Sequence, residues 1–149
     1  MLCYKREPLT REALSEAMPL LQAHWKEIAH YQDIPLDPDV AMYVAAEERG
    51  TVRAYSARNE CGQLIGYAVF FVKHNPHYQG SLQAVQDIIY LDPDARGRGL
   101  QFINFCDEQL RAEGVQVVYH HVKAVHNFGK ALERIGYELV DLIYARRLD

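Results

Sequence analysis

Apolar residues recur along this chain at two periods, and the switches between them mark out its elements. Leu14, Met18, Leu21, Trp25 and Ile28 fall at three- and four-residue steps, the stripe of an amphipathic helix, and predict a helix over 11–30. Trp25, on that stripe, reads as core. Pro19 lies inside the stripe, where its missing N–H should bend or locally break the helix. A short strand is expected over 2–7. The segment IPLDPD reads as a linker, with Asp37 or Asp39 able to cap a shorter helix that runs to Glu48 and ends at Gly50. Apolar and alternating runs over 52–58 and 64–73 then predict two strands, joined by NECGQ as a hairpin.

After a polar loop, HNPHYQG, the run over 82–91 reads as a mostly buried central strand. Leu100, Ile103, Cys106 and Leu110 make one face of a helix over 98–113, closed by Gly114. A strand over 115–122 and a helix over 127–135, closed by Gly136, follow. The last run, YELVDLIYARRL, predicts a strand or a pair of short strands. The order βααβββαβαβ belongs to an α/β class with a mixed central sheet and helices on both faces, one domain over 1–149.

Candidate chemistry concentrates in LDPDARGRGLQ, residues 91–101, where strand gives way to helix. Two glycines and two arginines crowd this turn. Backbone N–H groups left free there, with the dipole of the helix that follows, suit an anion. The plain alternative is a turn with basic solubilising residues.

Composition narrows the classes. A 149-residue chain that is 49% hydrophobic and 24% charged can bury a full core. No apolar run approaches the roughly 20 residues of a membrane span, and the N-terminus meets charge before any apolar run, so neither a membrane protein nor a signal peptide is expected. Net charge is −4, and residues 1–50 carry five Lys or Arg against nine Asp or Glu. That balance argues against a nucleic-acid surface and suits a cationic partner at the N-terminal half, or simply an acidic surface. Cys3, Cys61 and Cys106 are too scattered for a disulfide framework, so the cytoplasm is the expected compartment. His120 and His121 have no further ligands at metal-binding spacing, so no metal is expected.

Arg96-Gly97-Arg98-Gly99-Leu100, with Leu91-Asp92-Pro93 ahead of it, resembles the acetyl-CoA-binding motif of the GNAT superfamily of N-acetyltransferases. Asn127, Ala131 and Gly136-Tyr137 resemble that family's signature at its last helix. The resemblance covers the whole chain in element order. Gln101 departs from the usual Gly or Ala, Asn127 stands nearer Gly136 than is usual, and Leu132 replaces a tyrosine that often serves as general acid.

The resemblance implies a sheet whose fourth and fifth strands splay, acetyl-CoA as co-substrate, and an amine acceptor: a small molecule, a protein lysine or a protein N-terminus. It implies that the amides of Gly97, Arg98, Gly99, Leu100 and Gln101 hold the pyrophosphate with Arg96 and Arg98 as charge partners, and that Ile89, Tyr90 and Leu91 of the stretch 88–91 pair with the pantetheine arm. Asn127 and Lys130 would reach the cofactor. Amine attack requires a proton acceptor. Asp87, a single carboxylate in an uncharged strand whose burial would raise its pKa, is the candidate, with an ordinary structural carboxylate as the alternative. His120 is a candidate relay, and Tyr119 and Tyr144 replacement acids. His24, His30, Tyr31 and Asp33 are expected to wall the acceptor pocket, with the polar loop at His74, Asn75, His77 and Tyr78 either bordering it or forming a plain surface loop. Cys106, helical and apolar-facing, is not a nucleophile. The competing class is a non-catalytic acyl-CoA-binding or interaction protein on the same fold. A homodimer through LVDLIYA is compatible with the pattern, as is an edge strand packed on its own core.

Overall fold

The computed structural model describes all residues 1–149. Five strands form one sheet in chain order: β1 Cys3–Arg6, β2 Val52–Arg58, β3 Leu64–Asn75, β4 Tyr78–Leu91 and β5 Val117–Tyr119. The first four are antiparallel neighbours, and β5 joins β4 in parallel. Helix α1, Arg11–Ile28, and α2, Val40–Arg49, lie between β1 and β2, while α3, Gly99–Ala112, connects β4 to β5. A short α4, Gly129–Arg134, follows β5.

Strand alternation divides the core in two. Ala68, Phe70 and Val72 of β3 face one side and pack on Phe102, Cys106 and Leu110 of α3. Val69 and Ile88 face the other, beside Ala46 and Tyr43 of α2 and Leu14 of α1. The mixed sheet with helices on both faces is therefore the architecture. Local chemistry sets the ends: Thr10 caps α1, Asp39 rather than Asp37 caps α2, and Gly50 closes α2 at φ 74°, a left-handed conformation that favours glycine.

Four elements differ from the sequence-based expectation. Helix α1 runs unbroken through Pro19, whose ring lies on the exposed face; only the hydrogen bond to the Ser15 carbonyl is forgone. The polar stretch HNPHYQG is not a loop. Asn75 pairs with Tyr78 across a two-residue turn, its Oδ1 accepting from the His77 amide at 2.8 Å, so β3 and β4 run on into a long hairpin. Strand β5 has three residues instead of eight, because its pairing with β4 stops at Val85 and Tyr119. The run YELVDLIYARRL forms no strand: Leu139, Val140, Leu142, Ile143, Tyr144 and Leu148 are 66 to 89% exposed. Its apolar residues fall on both strand faces, and within this chain no neighbouring strand takes them.

Candidate functional site

The site begins with one irregularity in β4. Ile88 pairs with Val69, yet the next pair is Gln86 with Phe70, which leaves Asp87 as the extra residue of a β-bulge. A bulge changes which residues turn their amides toward which neighbour. Ahead of it the Leu82 carbonyl accepts from Gln116, on the β5 side. Beyond it the Asp92 amide donates to Ile65 of β3 at 2.8 Å. By strand alternation Tyr90 also turns its peptide groups to β3, whereas Ile89 and Leu91 turn theirs away, toward β5. Strand β5 is no longer there to meet them. The fourth and fifth strands splay, and an edge of free backbone groups lines the gap.

Gln86 and His120 stand where the strands part. His120 Nδ1 lies 2.8 Å from Gln86 Oε1, and Gln86 Nε2 donates to the His121 carbonyl at 3.5 Å. The imidazole packs edge-on against Phe70 and Tyr137. Burial drives its pKa down to about 4, with His121 adding to the shift. The neutral ring's Nε2 is buried without a hydrogen-bonding partner. His120 therefore sits as a clip across the splay on the α3 side of the sheet.

The glycine-rich turn closes one end of the gap. A 3-10 turn over Pro93–Arg98 leads into α3, whose N-cap residue, Arg98, makes no side-chain capping bond. The first amides of the helix are thus without a side-chain acceptor. Gly99 has φ −58°, an ordinary helical value, and a Cβ placed on Gly97 or Gly99 would meet nothing within 4 Å. Neither backbone strain nor packing within the chain demands glycine at these positions. The Gly99 amide is held within the turn by the Arg96 carbonyl, and open space lies over a helix start that no side chain caps, an arrangement that fits a phosphate ester.

The two arginines divide their roles. Arg98 is exposed and has no ion-pair or hydrogen-bond partner, so it is available to an anion. Arg96 is committed: its Nη2 donates to Glu27 of α1 at 2.6 Å, its Nε to the Leu91 carbonyl at 3.0 Å, and its guanidinium lies 5.7 Å from the Tyr90 ring centroid. The hydrogen bond from Arg96 holds the Glu27 carboxyl below its ordinary pKa. Arg96 ties the turn to α1 and takes up the Leu91 carbonyl on the open edge. Gln101 is exposed on the first turn of α3. Asn127 accepts from the Gly129 amide at 2.8 Å just ahead of α4, and Lys130, on α4, pairs with Glu133 on the surface.

On the α1/α2 side of the sheet the bulge presents Asp87. Its Oδ2 accepts a 2.6 Å hydrogen bond from Tyr43 of α2. The expected burial of Asp87 is not met: the bulge pushes the residue outward and it is exposed. Burial and the Asp87 carboxylate instead raise the pKa of Tyr43. Ile88, the next residue, lines a cavity of about 440 Å³ between α1, the loop over 29–39 and the sheet, and Tyr43 lines it too.

Of the four residues expected to wall an acceptor pocket, only Tyr31 lines this cavity. His24 is buried beside it, its Nδ1 3.2 Å from the Tyr67 hydroxyl and its ring tilted against Tyr90 at a centroid distance of 4.9 Å, with burial lowering its pKa to about 4. His30 is exposed and packs edge-on against Tyr31, while Asp33 pairs with Arg147 of the C-terminal run. Trp25, read as core, lines the cavity instead. Leu132 is in the core, and Tyr144 lies far out on the exposed C-terminal run. The loop expected at His74–Tyr78 is the tip of the β3–β4 hairpin. Tyr43, Gln86 and the cavity face of α1 escaped the sequence reading. A lone tyrosine on a helix or glutamine in a strand carries no signal until its partner is known.

No protein-family model and no curated protein sequence matches the chain. Solved structures do. A ribosomal-protein-alanine N-acetyltransferase from Brucella melitensis biovar Abortus 2308 superposes with a TM-score of 0.73 at 20% identity, over 100% of both chains. An aminoglycoside acetyltransferase from an uncultured soil metagenomic sample, solved with sisomicin, gives 0.71 at 13% identity over 98% of this chain and 97% of its own. A predicted acetyltransferase from Clostridium acetobutylicum, solved with acetyl-CoA, gives 0.71 at 12% over 99% and 96%. At such identities the shared property is the fold. The chain has the α/β fold of the GNAT acetyltransferases.

Proposed function

We propose that this protein is an acetyl-CoA-dependent N-acetyltransferase acting on a primary amine, carried by a small molecule or by a protein lysine or N-terminus. The observation that carries the reading is the alignment of two open backbone features: the edge of β4 at Ile89 and the Leu91 amide, and the uncapped, glycine-lined start of α3. The amides over 97–101, with Arg98, would hold the pyrophosphate, and the edge of β4 would hold the pantetheine arm. Arg96 orients that edge through the Leu91 carbonyl and Glu27. Acetyl-CoA supplies a thioester carbonyl activated toward nucleophiles.

The amine must arrive as the free base, since an ammonium has no lone pair. Its nitrogen forms the new C–N bond while the C–S bond breaks and sulfur leaves with the bonding pair. A strand amide on the open edge would steady the charge gathering on the carbonyl oxygen. Asp87 Oδ1, left free by the bond that Tyr43 makes to Oδ2, would take the proton shed by nitrogen. Solvent can protonate the thiolate, so Leu132 in place of a tyrosine is no obstacle. Its side chain packs in the core. The scattered free cysteines suit the cytoplasm. The exposed run Leu139–Leu148 suits a homodimer in which a second copy covers it.

Calorimetric titration with acetyl-CoA, followed by thiol release over an amine panel, tests the reading. Micromolar binding is expected, and Asp87→Asn should lower kcat roughly 10²–10⁴-fold with the affinity for acetyl-CoA intact. Absence of binding to the unaltered protein would overturn the reading.

A further inference from the structure

We propose that the acceptor amine is carried on an apolar body, an aryl-alkyl or long alkyl group, which lies in the cavity beneath α1 with its nitrogen at Asp87. The proposal rests on the acetyltransferase reading for the reaction, but on the cavity alone for the class of amine.

The cavity, at about 440 Å³, is within the size range of small-molecule sites and is lined by 24 residues, 16 of them hydrophobic. Its walls are Leu14 and Trp25 of α1, Ile34 and Leu36 of the loop, and Tyr67 and Val69 of β3. Its acidic groups are mostly spoken for. Arg58 pairs with Glu7 at 3.0 Å and with Glu16 at 2.7 Å, and Lys5 adds a second cation 3.4 Å from Glu7, which closes that end as a neutralised cluster. Asp37 lies on the linker side. At the β4 end, Tyr43 and Ile88 line the wall and Tyr43 holds the Asp87 carboxylate. A ligand running the length of the cavity would have Asp87, which Tyr43 holds just behind the wall, at the end nearest the bulge, Asp37 on the linker side, and apolar contacts along its body.

A smaller space of about 220 Å³ shares Leu21, Trp25, Leu36 and Ile88 with this cavity and extends to Lys123, beyond the end of β5. Apolar surface thus continues from under α1 toward the splay where the thioester would lie. A polycationic or polyhydroxylated acceptor fits poorly. Beyond the few that Asp37, Ser56 and the tyrosine hydroxyls on the wall can meet, its ammonium or hydroxyl groups would lose water without gaining a partner, at roughly 1–3 kcal/mol apiece. An alkyl or aryl body gains instead about 25 cal/mol for each Å² it buries.

Trp25 is the chain's one tryptophan and lines both spaces, so its emission reports occupancy without any turnover. Titration of 2-phenylethylamine or octylamine into the full chain should shift Trp25 emission saturably, whereas spermidine and kanamycin should not. Under saturating acetyl-CoA, the apolar amines should exceed spermidine and kanamycin in kcat/KM at least 100-fold. Ala17→Phe, which fills the cavity from α1, should raise the amine Kd at least tenfold and leave acetyl-CoA affinity unchanged. Ala13→Phe serves the same purpose should Ala17→Phe melt early. Equal or better turnover of kanamycin or spermidine, or an apolar amine that leaves Trp25 emission and binding calorimetry flat, would overturn the proposal while acetyl-CoA binding stands. Apolar amine binding without acetyl-CoA binding would sink the acetyltransferase reading and leave the cavity as an amine site.

Discussion

His120 Nδ1 and Gln86 Oε1 meet at 2.8 Å across the point where β4 and β5 cease to pair, so a side-chain hydrogen bond takes over as the backbone ladder ends. Parallel strands that simply stopped pairing would leave both edges free to collapse together or fray. The clip fixes how far they part, and its burial among Phe70 and Tyr137 keeps the imidazole neutral.

That neutrality has a pH signature. In the unfolded chain His120 protonates near its ordinary value of 6.5, whereas the folded ring resists down to about 4. Between those values the unfolded state binds more protons, so stability is fully present above pH 6.5 and declines as pH falls toward 4, by up to about 1.4 kcal/mol per pH unit. His24, lowered to about 4 by burial as well, adds a second contribution of the same sign. Unfolding free energies from urea melts at pH 7.5 and 5 should therefore differ more for the wild type than for His120→Asn, by on the order of 1–2 kcal/mol. An unchanged difference would mean that the ring is already protonated in the fold.

Gly99 separates binding from folding. With φ −58° and open space around a new Cβ, Gly99→Ala should leave Tm unchanged or raise stability by about 0.4–1 kcal/mol through the unfolded state. The same methyl group stands where a phosphate would approach the amides. A tenfold or greater rise in the acetyl-CoA Kd, read by calorimetry, is expected with no loss of Tm.

Gly66 is the opposite case. A Cβ there would lie 2.5 Å from Leu91 Cδ1 and 2.8 Å from the Tyr90 carbonyl, because β3 and β4 approach closely just beyond the bulge. Gly66→Ala should destabilise the fold by about 1–3 kcal/mol in urea melts. It should also weaken acetyl-CoA binding in the surviving folded protein, since Leu91 is displaced on the edge next to the turn. A neutral substitution would show that the edge of β4 can shift freely.

The C-terminal run supplies the last prediction. Six large apolar residues within ten positions are at least 66% exposed, a concentration of apolar side chains that marks an interaction surface. Sedimentation of the full chain should give a dimer at micromolar concentration, and Leu142→Glu with Ile143→Glu should convert it to a monomer without lowering Tm by more than a few degrees. A wild-type monomer at all concentrations would rule out the dimer.

What the sequence determined by itself was local. The stripe Leu14 to Ile28, the alternation around Tyr67 to Phe71 and the turn at Gly97 and Gly99 each depend on neighbours within a few residues, so period and turn chemistry carry them. Tertiary structure decided everything that joins distant segments. The bulge at Asp87 is a register between β3 and β4, and its effect, an exposed carboxylate held by Tyr43, cannot be read from a lone acid in an apolar strand. The same holds for Arg96, whose partner Glu27 lies on the first helix, and for Gln86 with His120. HNPHYQG carries the composition of a loop, yet the side chain of Asn75 folds it into a two-residue turn. YELVDLIYARRL carries the pattern of a strand, but a strand exists only where another edge receives it, and β5 ends after three residues. Hydrophobic period specifies which face of an element is to be buried. Which surface buries it is settled only when the whole chain has packed.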